Sequence, residues 1–289
     1  MIDDLKAILE TIQGLLDRRD DARRRETPAG DVQASVDRFK YLVVAHGLKL
    51  AQIPGLVPSS LPIRLSQLKN DESIAEILTP DFLNWVSDFF GIQRTWLEGG
   101  SDQVYAPVRS AYKHAGKFVA WLQQAGWWTE ELEMIVFTPE RSLREERAAG
   151  PMAITMARPL PAFPDSDCRQ FLPTVDLWEW GHRPCRASVL ELAARVCDHS
   201  GIPIRVYRVS HKTVEQIQRR ELVPNPFALP RCKQHRESLD TAFDLASLEI
   251  IDESGSNIMA TPSAGSHSTQ RQEHAIAPPS DLQSDGIDG

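Results

Sequence analysis

The chain has 289 residues, 42% of them apolar and 25% charged, which suits a globular protein with room for two modules. These values exclude a wholly disordered or collagen-like chain, and no run of ~18 apolar residues exists to cross a membrane. The net charge of −8 is unevenly spread: residues 252–289 hold six carboxylates against one arginine, leaving −3 for the first 251. An acidic mean does not forbid contact with nucleic acid, because the attracting field is local. It does argue against a general basic coat. Met1-Ile2-Asp3-Asp4 lacks the pattern of a secretory leader, and Cys168, Cys185, Cys197 and Cys232 form no CxxC pair. Both predict a cytoplasmic protein with free thiols.

In chain order, Ile2, Leu5, Ile8, Leu9, Ile12, Leu15 and Leu16 fall on one helical stripe, a candidate for self-association. A charged run to Glu26 and a linker, Thr27-Pro28-Ala29-Gly30, follow. Ser35 is the expected cap of a helix that buries Val36, Phe39, Leu42 and Val43 and stops at Gly47. Between Leu48 and Asn70, Pro54, Pro58 and Pro62 force short helical pieces. The clearest element comes next. Thr79 caps a helix, Pro80 takes its first position, Asp81 complements its positive end, and Gly91 closes it. Phe82, Trp85, Val86, Phe89 and Phe90 form its buried stripe, and a short piece from Ile92 to Leu97 ends before Gly99-Gly100.

From residue 104 onward the period changes. Pro107 to Gln124 predicts a helix, and Glu133–Thr138 and Pro151–Met156 predict strands around a charged turn, Arg141 to Arg147. Pro159 to Pro164 reads as a loop and Phe171 to Trp180 as a third strand. Arg186 to Ser200 is a helix stopped by Gly201, and Ile202 to Tyr207 is a strand. That order implies a parallel crossover. Helices over Lys212–Leu222 and Ser238–Leu248 complete the pattern, and the polar, acidic segment from Asp252 is expected to be disordered. The expected organisation is residues 1–30 as helix and linker, 31–103 as a helical module, 104–251 as an α+β module and 252–289 as a tail.

The stretch Thr79-Pro80-Asp81-Phe82-Leu83-Asn84-Trp85-Val86 runs on through Gly91 to Thr95-Trp96-Leu97-Glu98-Gly99-Gly100. With Leu50-Ala51 and Leu65-Ser66-Gln67-Leu68-Lys69-Asn70, it resembles the Cro/repressor-type (XRE-like) helix-turn-helix domain of bacterial regulators. The spacing from Leu50-Ala51 to Leu65 is longer than the family's, three prolines fall where helix is expected, and Lys69 replaces a common Glu. The resemblance implies double-stranded DNA as partner, a transcriptional role and a dimer. On that reading a recognition helix starts at Ser60 and turns Ser59, Ser60, Arg64 and Gln67 toward base edges, with Lys49, Lys69 and Asn70 on phosphates.

Three alternatives stand beside this reading. Asp176, Glu179 and His182 are candidate ligands for a metal-dependent nuclease or phosphodiesterase, converging only if their strand breaks at Gly181. His182, Cys185, Cys197 and His199 have local spacings compatible with zinc. A non-catalytic interaction scaffold is the third. Phosphate-binding glycine loops, HExxH and GxSxG are absent from the sequence, so the expectation is no catalytic residues, no cofactor and no resident metal. Trp127-Trp128, Trp178 and Trp180 are candidate core or ligand-lining rings. Arg183, Arg186, Arg205, Arg208, Lys212, Arg219 and Arg220 are a candidate phosphate-facing set. The expected fold class is α+β: an all-α helix-turn-helix bundle, then a mixed α/β module and a disordered acidic tail.

Overall fold

The computed structural model describes residues 28–140, 143, 150–160, 168–201, 204–229, 232–234, 250–251 and 257–258. The readings for 1–26, most of 141–147 and of the Pro159–Pro164 loop, 238–248, and all but two residues of 252–289 lie outside them. The fold is α+β, as its sequence pattern predicts.

Helix α1 spans Pro28–Ala45, so the segment expected as a linker already contains its first turn. Pro28 with its pre-set φ and Asp31 in the first turn are the signals that open it. Ser35 is therefore a mid-helix residue, its hydroxyl donating back to Asp31 O, and not a cap. Two 3-10 turns follow, Leu50–Gly55 and Leu65–Leu68. Helix α2 is Asp71–Ile77, α3 is Pro80–Phe90 and α4 is Arg94–Leu97. The expected signals at α3 all operate: Thr79 Oγ1 accepts from Phe82 N, and Gly91 takes the left-handed conformation (φ 69°) that a side chain would resist.

The sheet is mixed and six-stranded. Its strands are β1 (Glu133–Thr138), β2 (Pro151–Pro159), β3 (Arg169–Pro173), β4 (Trp178–Glu179), β5 (Arg205–Arg208) and β6 (Lys233–Gln234). The order is β3-β2-β1-β5-β6, and β4 pairs with β2. The predicted single strand from Phe171 to Trp180 is split. After β3 the chain leaves the sheet at Thr174, exposes Leu177, and rejoins β2 opposite Pro151 and Met152. The predicted parallel crossover exists, but β5 pairs with β1, so the connection passes over two strands. Helix α5 covers only Ala115–Gln124; the preceding residues 107–114, predicted helical, form an irregular loop. Helix α6 is Arg183–Ser200, and α7 is His211–Gln218, shorter at its C-terminal end than expected. Residues 250–251 and 257–258 pair as a separate two-stranded ladder.

Alternation along the strands builds two cores. Ile135, Phe137, Ala153, Ala157, Phe171 and Tyr207 face one way, and Met134, Val136, Ile154, Met156, Leu172 and Val206 face the other. The first face is covered by α1–α4 and α7, the second by α5 and α6. Coverage on both sides explains why β1 and β2 read as continuous apolar runs.

One apolar cluster runs from Val36 in α1 through Tyr105 to Phe171 and Leu229, across the position expected to divide the chain at 103–104. Polar ties cross it as well. Asn225 Nδ2 donates to Ala45 O (2.8 Å), Val223 N donates to the Tyr41 hydroxyl (2.9 Å), and Val104 N donates to Arg220 O (2.7 Å). His46 sits at the centre of the seam, its ring 4.6 Å from Phe90 and 5.6 Å from Phe171. Its Nδ1 bonds Leu42 O at 2.9 Å, while Nε2 has no partner. Full burial lowers its pKa from 6.5 to about 4, against a smaller raising effect of the Leu42 carbonyl.

Candidate macromolecule-binding segment

The segment from Lys49 to Asn70 carries every residue that the helix-turn-helix resemblance nominates for base or phosphate contact. Its two 3-10 turns are built alike from Lys49-Leu50-Ala51-Gln52 and Arg64-Leu65-Ser66-Gln67. In each, the glutamine Oε1 accepts the backbone N–H of the residue that opens the turn, at 2.7 and 2.9 Å. This is one half of a capping box. Pro54 lies inside the first turn and confines it to six residues.

The predicted recognition helix does not start at Ser60. Residues 59–64 are non-helical, and Arg64 is extended (φ −99°, ψ 148°). The cause is local. Pro62 disfavours the helical region for Leu61 and has no N–H to give, so helical backbone resumes only at Leu65 and lasts four residues. A true helix, α2, begins at Asp71, beyond the nominated residues.

Ser59, Ser60, Arg64, Lys49, Lys69 and Asn70 are exposed, and Gln67 is partly so. Two of these side chains have local work. Gln67 closes its own turn, and Asn70 Oδ1 caps α2 by accepting from Ser73 N at 2.9 Å. Asp71 latches α2 to α1, accepting from Gln33 Nε2 (2.7 Å) and Lys40 Nζ (3.0 Å). Those bonds, Lys40 first, lower the Asp71 pKa below the usual carboxylate value. Sequence reading missed this latch because Gln33, Lys40 and Asp71 share no local pattern. Leu65, by contrast, is 59% exposed on the second turn. Across residues 31–103 nine carboxylates stand against six basic side chains.

The alternative constellations are not brought together. Among the described residues no group of three or more His, Cys, Asp or Glu could hold a metal ion. Asp176 accepts from the Ser110 hydroxyl and from Ala111 N (2.8 Å), and His182 Nδ1 lies 3.2 Å from Cys185 Sγ. Cys197 is twelve residues further along α6, a rise of roughly 18 Å. His199 stacks on Trp128 at 4.4 Å. Of the candidate phosphate-facing set, Arg205 pairs with buried Glu133 at 3.0 Å and Arg220 bonds Gln103, whereas Arg183 and Arg186 share the first turn of α6. Trp178 and Trp180 are fully buried, whereas Trp127 is half-buried beneath the Arg158 guanidinium. No disulfide joins any of the four cysteines.

The class these features define is a helical bundle fused, through one core, to a face of a mixed sheet. No family model, no curated protein and no solved structure matches the chain.

Proposed function

We propose that the chain is a non-catalytic binding protein whose helical bundle, built on a repressor-like plan, contacts another protein through residues 55–70. The observation that carries this reading is Leu65, a large apolar side chain left 59% exposed on the second 3-10 turn. Between Gly55 and Leu68 the sequence holds one charge, Arg64, amid Leu, Val, Ile and Pro. Such a surface gains little from phosphates and more from covering apolar area. The bundle's excess of carboxylates supports the same partner class.

Sequence-specific binding of double-stranded DNA by a transcriptional regulator is the second reading. It is favoured by the exposure of Ser59, Ser60, Arg64 and Lys69 together with the Trp96-Leu97-Gly99 closing element. Selection of bound fragments from random duplex DNA separates the two. The protein reading expects no enriched motif that depends on Arg64, and co-purification of a partner that Leu65→Asp abolishes. An enriched motif lost on Arg64→Ala would restore the regulator.

A further inference from the structure

On the far side of the sheet, two stretches without a single carboxylate meet. Residues 103–129 carry Arg109, Lys113 and Lys117, and residues 180–190 carry Arg183 and Arg186. They are joined through specific bonds. Lys113 N donates to Ser188 Oγ on α6 at 3.1 Å, and Ser110 with Ala111 N holds Asp176 just before β4. Tyr112 sits between them, 6.0 Å from Trp178 and 6.5 Å from His182.

Two of the cations are held by rings. Lys113 Nζ lies 5.0 Å from the centre of Tyr112, and the Arg186 guanidinium 5.9 Å from that of buried Trp180. Lys113 has a left-handed backbone (φ 59°), a conformation that costs a lysine energy and that the Ser188 bond helps hold. Arg109, Lys113 and Arg183 are exposed and Arg186 half-exposed. Among the described residues, none of these four pairs with a carboxylate. The nearby acids are accounted for: Asp176 is bonded as above, Glu191 pairs with Arg195 at 3.0 Å, and Glu179 is exposed at the margin.

We infer that this face binds the phosphate backbone of duplex DNA without reading its sequence. Charge is its driving force, since the exposed positions between the cations are Ser110, His114, Pro184 and Ala187, with no large apolar side chain. Single strands ask for open aromatic platforms. Here Tyr112 lies under Lys113 and Trp180 is buried, which leaves the backbone of a duplex as the complementary surface. This inference is independent of the partner proposed for residues 55–70.

The test is fluorescence anisotropy of a short labelled DNA duplex with the full chain. Four phosphate contacts predict that affinity falls about a hundredfold as salt rises from roughly 50 to 200 mM. Arg109→Glu with Arg183→Glu should weaken binding at low salt by roughly tenfold or more, and Arg94→Ala, on the bundle side of the sheet, should leave it unchanged. Lys113→Asn, a residue that tolerates the left-handed backbone, supplies a third variant whose fold is not at risk. An unaltered unfolding midpoint guards the comparison. Absence of duplex binding at low salt, or binding that the charge reversals do not change, overturns the inference. So does tighter binding of a single strand, and so does equal competition by polyglutamate, which would assign the face to an acidic protein.

Discussion

The two sides of the sheet use their polar residues in opposite ways. On the bundle side, Gln52, Gln67, Asn70 and Thr79 close turns or cap helices, and Asp71 is the latch between α1 and α2. On the α5–α6 side Asp176 and Glu191 are held by backbone, hydroxyl or arginine partners, and Lys113 and Arg186 lie outward over aromatic rings. In the motif-like segment Gln67 and Asn70 are thus already committed to the backbone, while Lys49, Arg64 and Lys69 remain exposed.

The sharpest way to break this comparison is to test whether the two sides are one folding unit. Phe171→Ala, at the seam beside His46, should cost about 3–5 kcal/mol. Amide exchange over Phe82–Phe90 and over Met134–Phe137 should then accelerate by the same factor. Acceleration confined to the sheet would split the molecule in two.

Acid supplies the next test. His46 takes its proton near pH 4 when folded and near 6.5 when unfolded, so the unfolded chain binds it first as pH falls. Its stabilising effect is complete above about pH 6.5 and declines toward pH 4, by about 3 kcal/mol in total. Urea unfolding across that range should show the slope, and His46→Phe should remove most of it. A slope that survives the substitution would shift the sensitivity to other groups.

Smaller effects probe the bundle's caps. Asn70→Ala and Thr79→Ala should each cost about 1 kcal/mol in urea unfolding, since each leaves a helix N–H without its acceptor. The weakest expectation belongs to Arg64→Ala, an exposed side chain whose loss should change stability by less than about 0.5 kcal/mol. A larger loss there would mean that Arg64 is tied into the bundle.

Much of the architecture was legible because it rests on short-range rules. Thr79-Pro80-Asp81 and Gly91 announce α3, Gly201 ends α6, and the apolar runs after Glu133 and Pro151 mark β1 and β2. The errors fell where local signals compete. Pro28 was grouped with the glycine after it as a linker, although proline also opens helices. Pro62 was accepted inside a first turn, yet the conformation it imposes on Leu61 keeps residues 59–64 out of the helix. The nominated binding residues lie on an exposed segment, but its backbone is not the helix expected of them. Of the cationic face, Arg183 and Arg186 stand in the candidate phosphate-facing set, whereas Arg109 and Lys113 carry no local signal, because Lys113 meets α6 only through Ser188, 75 residues further on.

The interruption between β3 and β4 also shapes how the molecule behaves in a crowd. A long bare ribbon margin would recruit stray chains into intermolecular ladders. Here β3 lasts five residues, the polypeptide swings outward after Thr174 to expose Leu177, and only two residues return as β4. A foreign peptide would find too few consecutive amides to grip. The detour therefore acts as built-in insurance against clumping.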